Sequence, residues 1–81
     1  MPAVTVTTSK TTIYSNPMGL KTIRLQNNGP GIVYYEVTPA DNVTPSSTTS
    51  PAIAANSSVY VDVYQATLYA VASANSTVVY T

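Results

Sequence analysis

Residues 57–64 alternate without a break: Val59, Val61 and Val63 fall on one side, and Ser58, Tyr60, Asp62 and Tyr64 on the other. A period of two places successive side chains on opposite faces of a strand, and a helix cannot use it. The same signature recurs along the chain. Val4 and Val6 oppose Thr5 and Thr7, and Ile23 and Leu25 oppose Thr22, Arg24 and Gln26. Leu68, Ala70 and Ala72 oppose Tyr69 and Val71, while Val78 and Tyr80 oppose Val79. Residues 32–38 carry large side chains on both faces, as suits a central strand or one that also meets a partner. Val, Ile, Thr and Tyr make up 35 of the 81 residues, and these types fit a pleated, half-buried surface.

Turn chemistry cuts these runs into segments. Residues 15–19 cluster Ser, Asn, Pro and Gly, and residues 27–31 read Asn-Asn-Gly-Pro-Gly, the strongest turn signal in the chain. Strands are therefore expected at residues 3–8, 11–14, 20–26, 32–38, 57–64, 67–73 and 76–81. The short links at Gln65-Ala66 and Ala74-Asn75 predict sequential antiparallel pairing of the last three. Residues 39–51, rich in Ser, Thr, Asn, Asp and Pro, form the longest expected loop, of a length usually tied to function or mobility. The expected fold class is all-β: one domain over residues 1–81, a small sandwich or barrel of about seven mainly antiparallel strands. Val4, Val6, Ile23, Leu25, Val59, Val61, Val63, Leu68 and Val78 are its expected core.

Composition narrows the chemistry. There is no Cys, His, Trp or Phe, which removes disulfides, most nucleophile–base pairs and nearly every structural zinc site. The charged residues are Lys10, Lys21, Arg24, Glu36, Asp41 and Asp62, three of each sign. Three scattered cations cannot supply the phosphate contacts that nucleic-acid binding needs. The carboxylates show no spacing for a metal site or an acid–base pair; Asp62 reads as a solvent-facing residue between two tyrosines, and Glu36 as a cross-sheet partner of Lys21 or Arg24. The expectation is a non-enzyme with no cofactor and no metal. The N-terminus lacks the pattern of a secretory signal, and no stretch is long and apolar enough to span a bilayer, so no membrane partner is expected. The sequons at Asn42, Asn56 and Asn75 read as incidental, with Asn56 and Asn75 as turn residues.

Two surfaces stand out for partner binding. Tyr60 and Tyr64 share the face opposite three valines and should point outward, where tyrosine suits a protein interface; cross-strand packing with threonine is the structural alternative. Tyr34 or Tyr35 is a candidate extension of that surface. The second is the 39–51 loop, stiffened by Pro39, Pro45 and Pro51, which would lose little entropy on docking or on adding to a neighbour's sheet edge. With 7% charged residues, the surface is suited to lasting contact with copies of itself or with a larger assembly.

Five segments together resemble small accessory virion proteins of tailed bacteriophages. They are Leu25-Gln26-Asn27-Asn28-Gly29, residues 32–38, Ile53-Ala54-Ala55-Asn56-Ser57-Ser58-Val59, Leu68-Tyr69-Ala70-Val71-Ala72-Ser73 and Ser76-Thr77-Val78-Val79. The resemblance covers roughly residues 20–80, with Ala55-Asn56 standing where many such proteins have Pro-Gly. It implies a capsid decoration, or cement, protein on the outer capsid surface, bridging subunits of the major capsid protein as a dimer or trimer. The competing expectation is a receptor- or carbohydrate-binding β-sandwich module of a phage tail or fibre, or of a bacterial surface protein.

Overall fold

The computed structural model describes residues 2–39 and 43–81. Among the described residues the regular elements are all strands: β1 (Ala3–Val6), β2 (Thr11–Asn27), β3 (Val33–Thr38), β4 (Ala52–Ile53), β5 (Ser57–Ala72) and β6 (Ser76–Tyr80). They form one antiparallel sheet in the order β1-β6-β2-β5-β3-β4.

Two long strands make the spine. β2 runs antiparallel to β5 from the Thr11–Ala70 pair to the Asn27–Ser57 pair. Each then lends a different half to its second neighbour. β6 pairs with β2 only along Leu25 to Asn27, and β3 pairs with β5 only along Thr67 to Ala72. The β2–β5 register slips twice, between Thr12 and Tyr14 and between Asn16 and Leu20. The second slip lies opposite Gln65, whose φ is 47°. Extra residues in one strand of a pair bend it and strengthen its twist.

The bend curls the sheet into a half-barrel and brings distant parts together. The Tyr14 ring meets Tyr80 edge-on, centroids 5.8 Å apart at 61°. Ala72 N–H donates to the Thr7 carbonyl at 2.8 Å. The concave side holds a single apolar cluster: Val6 from β1, Ile13, Ile23 and Leu25 from β2, Val33 from β3, Ile53 from β4, Val61, Val63, Ala66, Leu68, Ala70 and Ala72 from β5, and Val78 from β6. Burying such side chains contributes roughly 25 cal/mol per Å² of apolar surface, the main term holding the sheet in its curl.

The turn expected at residues 27–31 forms, with Gly29 at φ 77° and a cis Gly29–Pro30 peptide. It is stitched by buried polar side chains. Asn27 Nδ2 donates to the Gly31 and Ile53 carbonyls, its Oδ1 accepts from Gly29 N–H, and Ser76 Oγ accepts from Gly31 N–H.

Several expectations are corrected. Residues 11–14 and 20–26 belong to one strand, and residues 57–64 and 67–73 to another, so six strands replace seven once the short β4 is added. Gln65-Ala66 therefore lies inside β5, with Gln65 opposite the extra residues 17–19 of β2, and is not a hairpin turn. The last three expected strands do not pair in sequence; β6 lies between β1 and β2. Among the expected core residues, Val4 and Val59 are half-buried and lie against the cluster, and the other seven are buried in it. Glu36 accepts a hydrogen bond from Ser50 Oγ at 2.6 Å instead of meeting Lys21 or Arg24.

Candidate docking surface

The surface is built by strand parity. Opposite residues of an antiparallel pair share a face. Along the Asn27-to-Leu20 stretch of β2, Ile23 opposes Val61 and Leu25 opposes Val59, and both pairs turn toward the core. The intervening pairs must turn outward. These are Leu20 with Tyr64, Thr22 with Asp62, Arg24 with Tyr60, and Gln26 with Ser58. Tyr60 is 76% exposed and Tyr64 62%, so neither ring is held in the core or covered by a neighbour. Leu20, 63% exposed, stands across from Tyr64, and Met18, 82% exposed, projects from the adjoining bulge.

Polar groups on this face are mostly engaged with one another. Thr22 Oγ1 donates to Asp62 Oδ1 at 2.5 Å, and Arg24 Nη2 donates to Ser58 Oγ at 3.4 Å. The bulge that carries Met18 is clamped from within: Asn16 Nδ2 donates to the Val63 carbonyl at 2.8 Å and to the Gly19 carbonyl at 3.1 Å. Gly19 takes φ 75°, a conformation that a side chain would strain. The result is a β surface of two tyrosines and a leucine, held on paired backbone and interrupted by a hydrogen-bonded Thr–Asp pair and an arginine, with an exposed methionine in the adjoining bulge. Such a surface can dock flat apolar area and offer two phenolic hydroxyls at its edge.

The remaining expected partner residues lie elsewhere. Tyr34 and Tyr35 sit on β3 opposite Val71 and Ala70, in the other half of the sheet. Val71 lies seven positions from Tyr64 on β5, about 20 Å along the strand. Both tyrosines are half-buried, and Tyr35 lies against the core. They do not extend the Tyr60–Tyr64 surface. In the long loop, Pro39 and Pro51 are exposed and Pro45 is buried. Ala40, Asp41 and Asn42 lie outside the described residues, as does the first sequon with Asn42. The part that follows is not an extended arm. Ser50 N–H donates to the Ser46 carbonyl at 3.1 Å, Ser46 N–H to Ser50 Oγ at 2.9 Å, and Thr48 N–H to Ser46 Oγ at 3.2 Å. This compact turn is tied down through Ser50 to Glu36, through Lys10 Nζ to the Val43 carbonyl at 3.3 Å, and through the Pro51 carbonyl to Tyr35 N–H. Lys10 Nζ also stands 4.5 Å from the Tyr69 ring centroid.

Met18 and Leu20 are the residues that sequence reasoning passed over. Leu20 had a signal, because it shares even parity with the outward Thr22, Arg24 and Gln26. Met18 had none, since it lies within the turn cluster. Asn56, at φ 65°, occupies the left-handed region that asparagine tolerates, in keeping with a turn role, and Asn75 is exposed between β5 and β6. Among the described residues no three His, Cys, Asp or Glu side chains gather, and no helix is long and apolar enough to cross a membrane. No family model, no curated protein and no solved structure matches the chain.

Proposed function

We propose that this chain is a structural virion protein: a capsid decoration, or cement, protein on the outer surface of a phage head, bridging subunits of the major capsid protein. The observation that carries the reading is the outward Leu20–Tyr60–Tyr64 surface, apolar and aromatic and fixed on two hydrogen-bonded strands, with Met18 exposed in the adjoining bulge. Its mechanism is adhesion. Each ring brings about 150–250 Å² to a contact, and rigid strands lose little entropy on docking. Repetition on a symmetric lattice turns weak single contacts into high avidity across junctions that internal pressure strains. The resemblance of residues 20–80 to accessory virion proteins supports the same role and location.

The test is co-sedimentation with purified heads of the encoding virus, followed by thermal and osmotic challenge. Bound protein should raise the temperature at which heads release DNA. Tyr60→Ala combined with Tyr64→Ala should abolish binding while the domain stays folded. Isolated protein that ignores heads but holds a glycan on an array would overturn the reading in favour of a receptor-binding module.

A further inference from the structure

The N-terminal half of β5 has a bare side. Arg24 N–H donates to the Thr81 carbonyl at 3.1 Å, and the Arg24 carbonyl accepts from Thr81 N–H at 3.2 Å. At Arg24 the polar backbone groups of β2 therefore point away from β5. Alternation along a strand then aims those of Ile23 and Leu25 at β5, and those of their partners Val61 and Val59 back at β2. The N–H and C=O groups of Ser58, Tyr60, Asp62 and Tyr64 consequently face the other way. In the C-terminal half, β3 occupies that side of β5 from Thr67 to Ala72. Before Thr67, among the described residues, no strand pairs there and no backbone bond outside the ladders reaches these four residues.

Other edges of the sheet carry the devices that block edge pairing. β4 is two residues long and follows Pro51; β1 is four residues long and follows Pro2. The outer side of β2 before Leu20 contains Pro17 and two register slips. Residues 57–64 have no proline, no lysine and no bulge, and they include three valines and two tyrosines.

We infer that a second copy of this chain pairs its own β5 with this edge, antiparallel about a two-fold axis. The occupant follows from self-complementarity. The chain has zero net charge, and Asp62 is the only charge in the strand. An axis through Asp62 would set like charges opposite each other, which is unfavourable. An axis through Val61 sets Tyr60 of one copy against Asp62 of the other and Ser58 against Tyr64. All four outward-aimed residues of each copy then find a counterpart, giving about eight interchain backbone hydrogen bonds. The pairing also carries both tyrosine faces onto one side of a continuous sheet. It rests on the strand edge alone and does not depend on what the tyrosine face meets.

The experiment uses the full chain from about 10 μM to about 1 mM, with light scattering for mass and hydrogen exchange read by NMR for each amide. The expected result is a monomer–dimer equilibrium. The Ser58, Tyr60, Asp62 and Tyr64 amides should gain about tenfold or more protection as the dimer fills, while those of Val59, Val61 and Val63 are protected throughout. Asp62→Pro removes one edge donor and no donor of the β2 ladder, and it should remain monomeric at every concentration. A monomer across the whole range would overturn the inference. So would a dimer whose four edge amides exchange as in dilute solution, or undiminished dimerisation of a folded Asp62→Pro variant. Should that variant fail to fold, the wild-type exchange pattern decides alone. A dimer with protected edge amides that leaves heads unstabilised would reject the capsid role and keep this interface.

Discussion

Asn27 shows how much a single polar side chain holds at the closed end of the fold. It has no exposed surface, and its carboxamide spends two donor bonds on Gly31 and Ile53 (2.8 and 2.9 Å) and one acceptor bond on Gly29 (2.8 Å). Three backbone segments that are remote or tightly turned are thereby fixed to the end of β2. Asn27→Ala would remove all three bonds at once and take from the Gly29 N–H its side-chain acceptor, and should cost about 2–4 kcal/mol in urea unfolding. Val61→Ala tests packing instead. Val61 is 7% exposed on the core side of β5, and losing two methyl groups should cost about 1–3 kcal/mol. A cost near zero would mean that the valine face of this strand is not the buried one.

The bend at Gln65 is the decisive feature at the scale of the element. Before it, odd-numbered residues of β5 are buried (Val61, Val63); after it, even-numbered ones are (Ala66, Leu68, Ala70, Ala72). One residue in the left-handed region accomplishes that switch while the strand stays paired with β2. Glutamine holds φ 47° at a cost that glycine would not incur and that a β-branched side chain would raise. Gln65→Gly should therefore hold or raise the unfolding free energy and Gln65→Val lower it, with a gap of about 1–2 kcal/mol between the two variants. Equal stability of the pair would show that the left-handed conformation is not required.

At the scale of the whole molecule, the curl makes a slab of 32 × 27 × 17 Å, one side holding the core and the other presenting Tyr60 and Tyr64. Core and docking face are thus separate on the same strands, which allows them to be tested apart. Tyr60→Ala with Tyr64→Ala should change the unfolding free energy by no more than about 0.5–1 kcal/mol, because both rings lie outside the cluster. A larger loss would mean that the rings support the fold. The pairing of β1 with β6, as in Val4 with Val78, joins the two ends of the chain. Such non-local ladders place the main refolding phase on a scale of about milliseconds to seconds, measurable by stopped-flow fluorescence of the tyrosines.

Which side chains face inward was largely legible in the residues themselves, because alternation is local: the parity of Val59-Val61-Val63, Ile23-Leu25 and Leu68-Ala70-Ala72 needs only neighbouring positions. It failed where local cues fall silent. Residues 32–38 have large side chains on both faces, so burial of Val33 over its neighbours was undetermined, and Ile13 and Ile53 lie in segments too short or too interrupted to carry a period. The change of parity between Val63 and Ala66 was visible as well, but a tight hairpin and a bulge both shift it by one. Gln-Ala contains no glycine, proline or asparagine to choose between them. Only the tertiary structure decided against the hairpin, since β2 takes up the shift with its own extra residues and stays paired with β5 on both sides of Gln65. It also decided that β6 joins β1 and β2 and that Leu20 stands across from Tyr64. Both outcomes depend on which distant strands come together, and a strand's own sequence fixes its faces but not the neighbours at its edges.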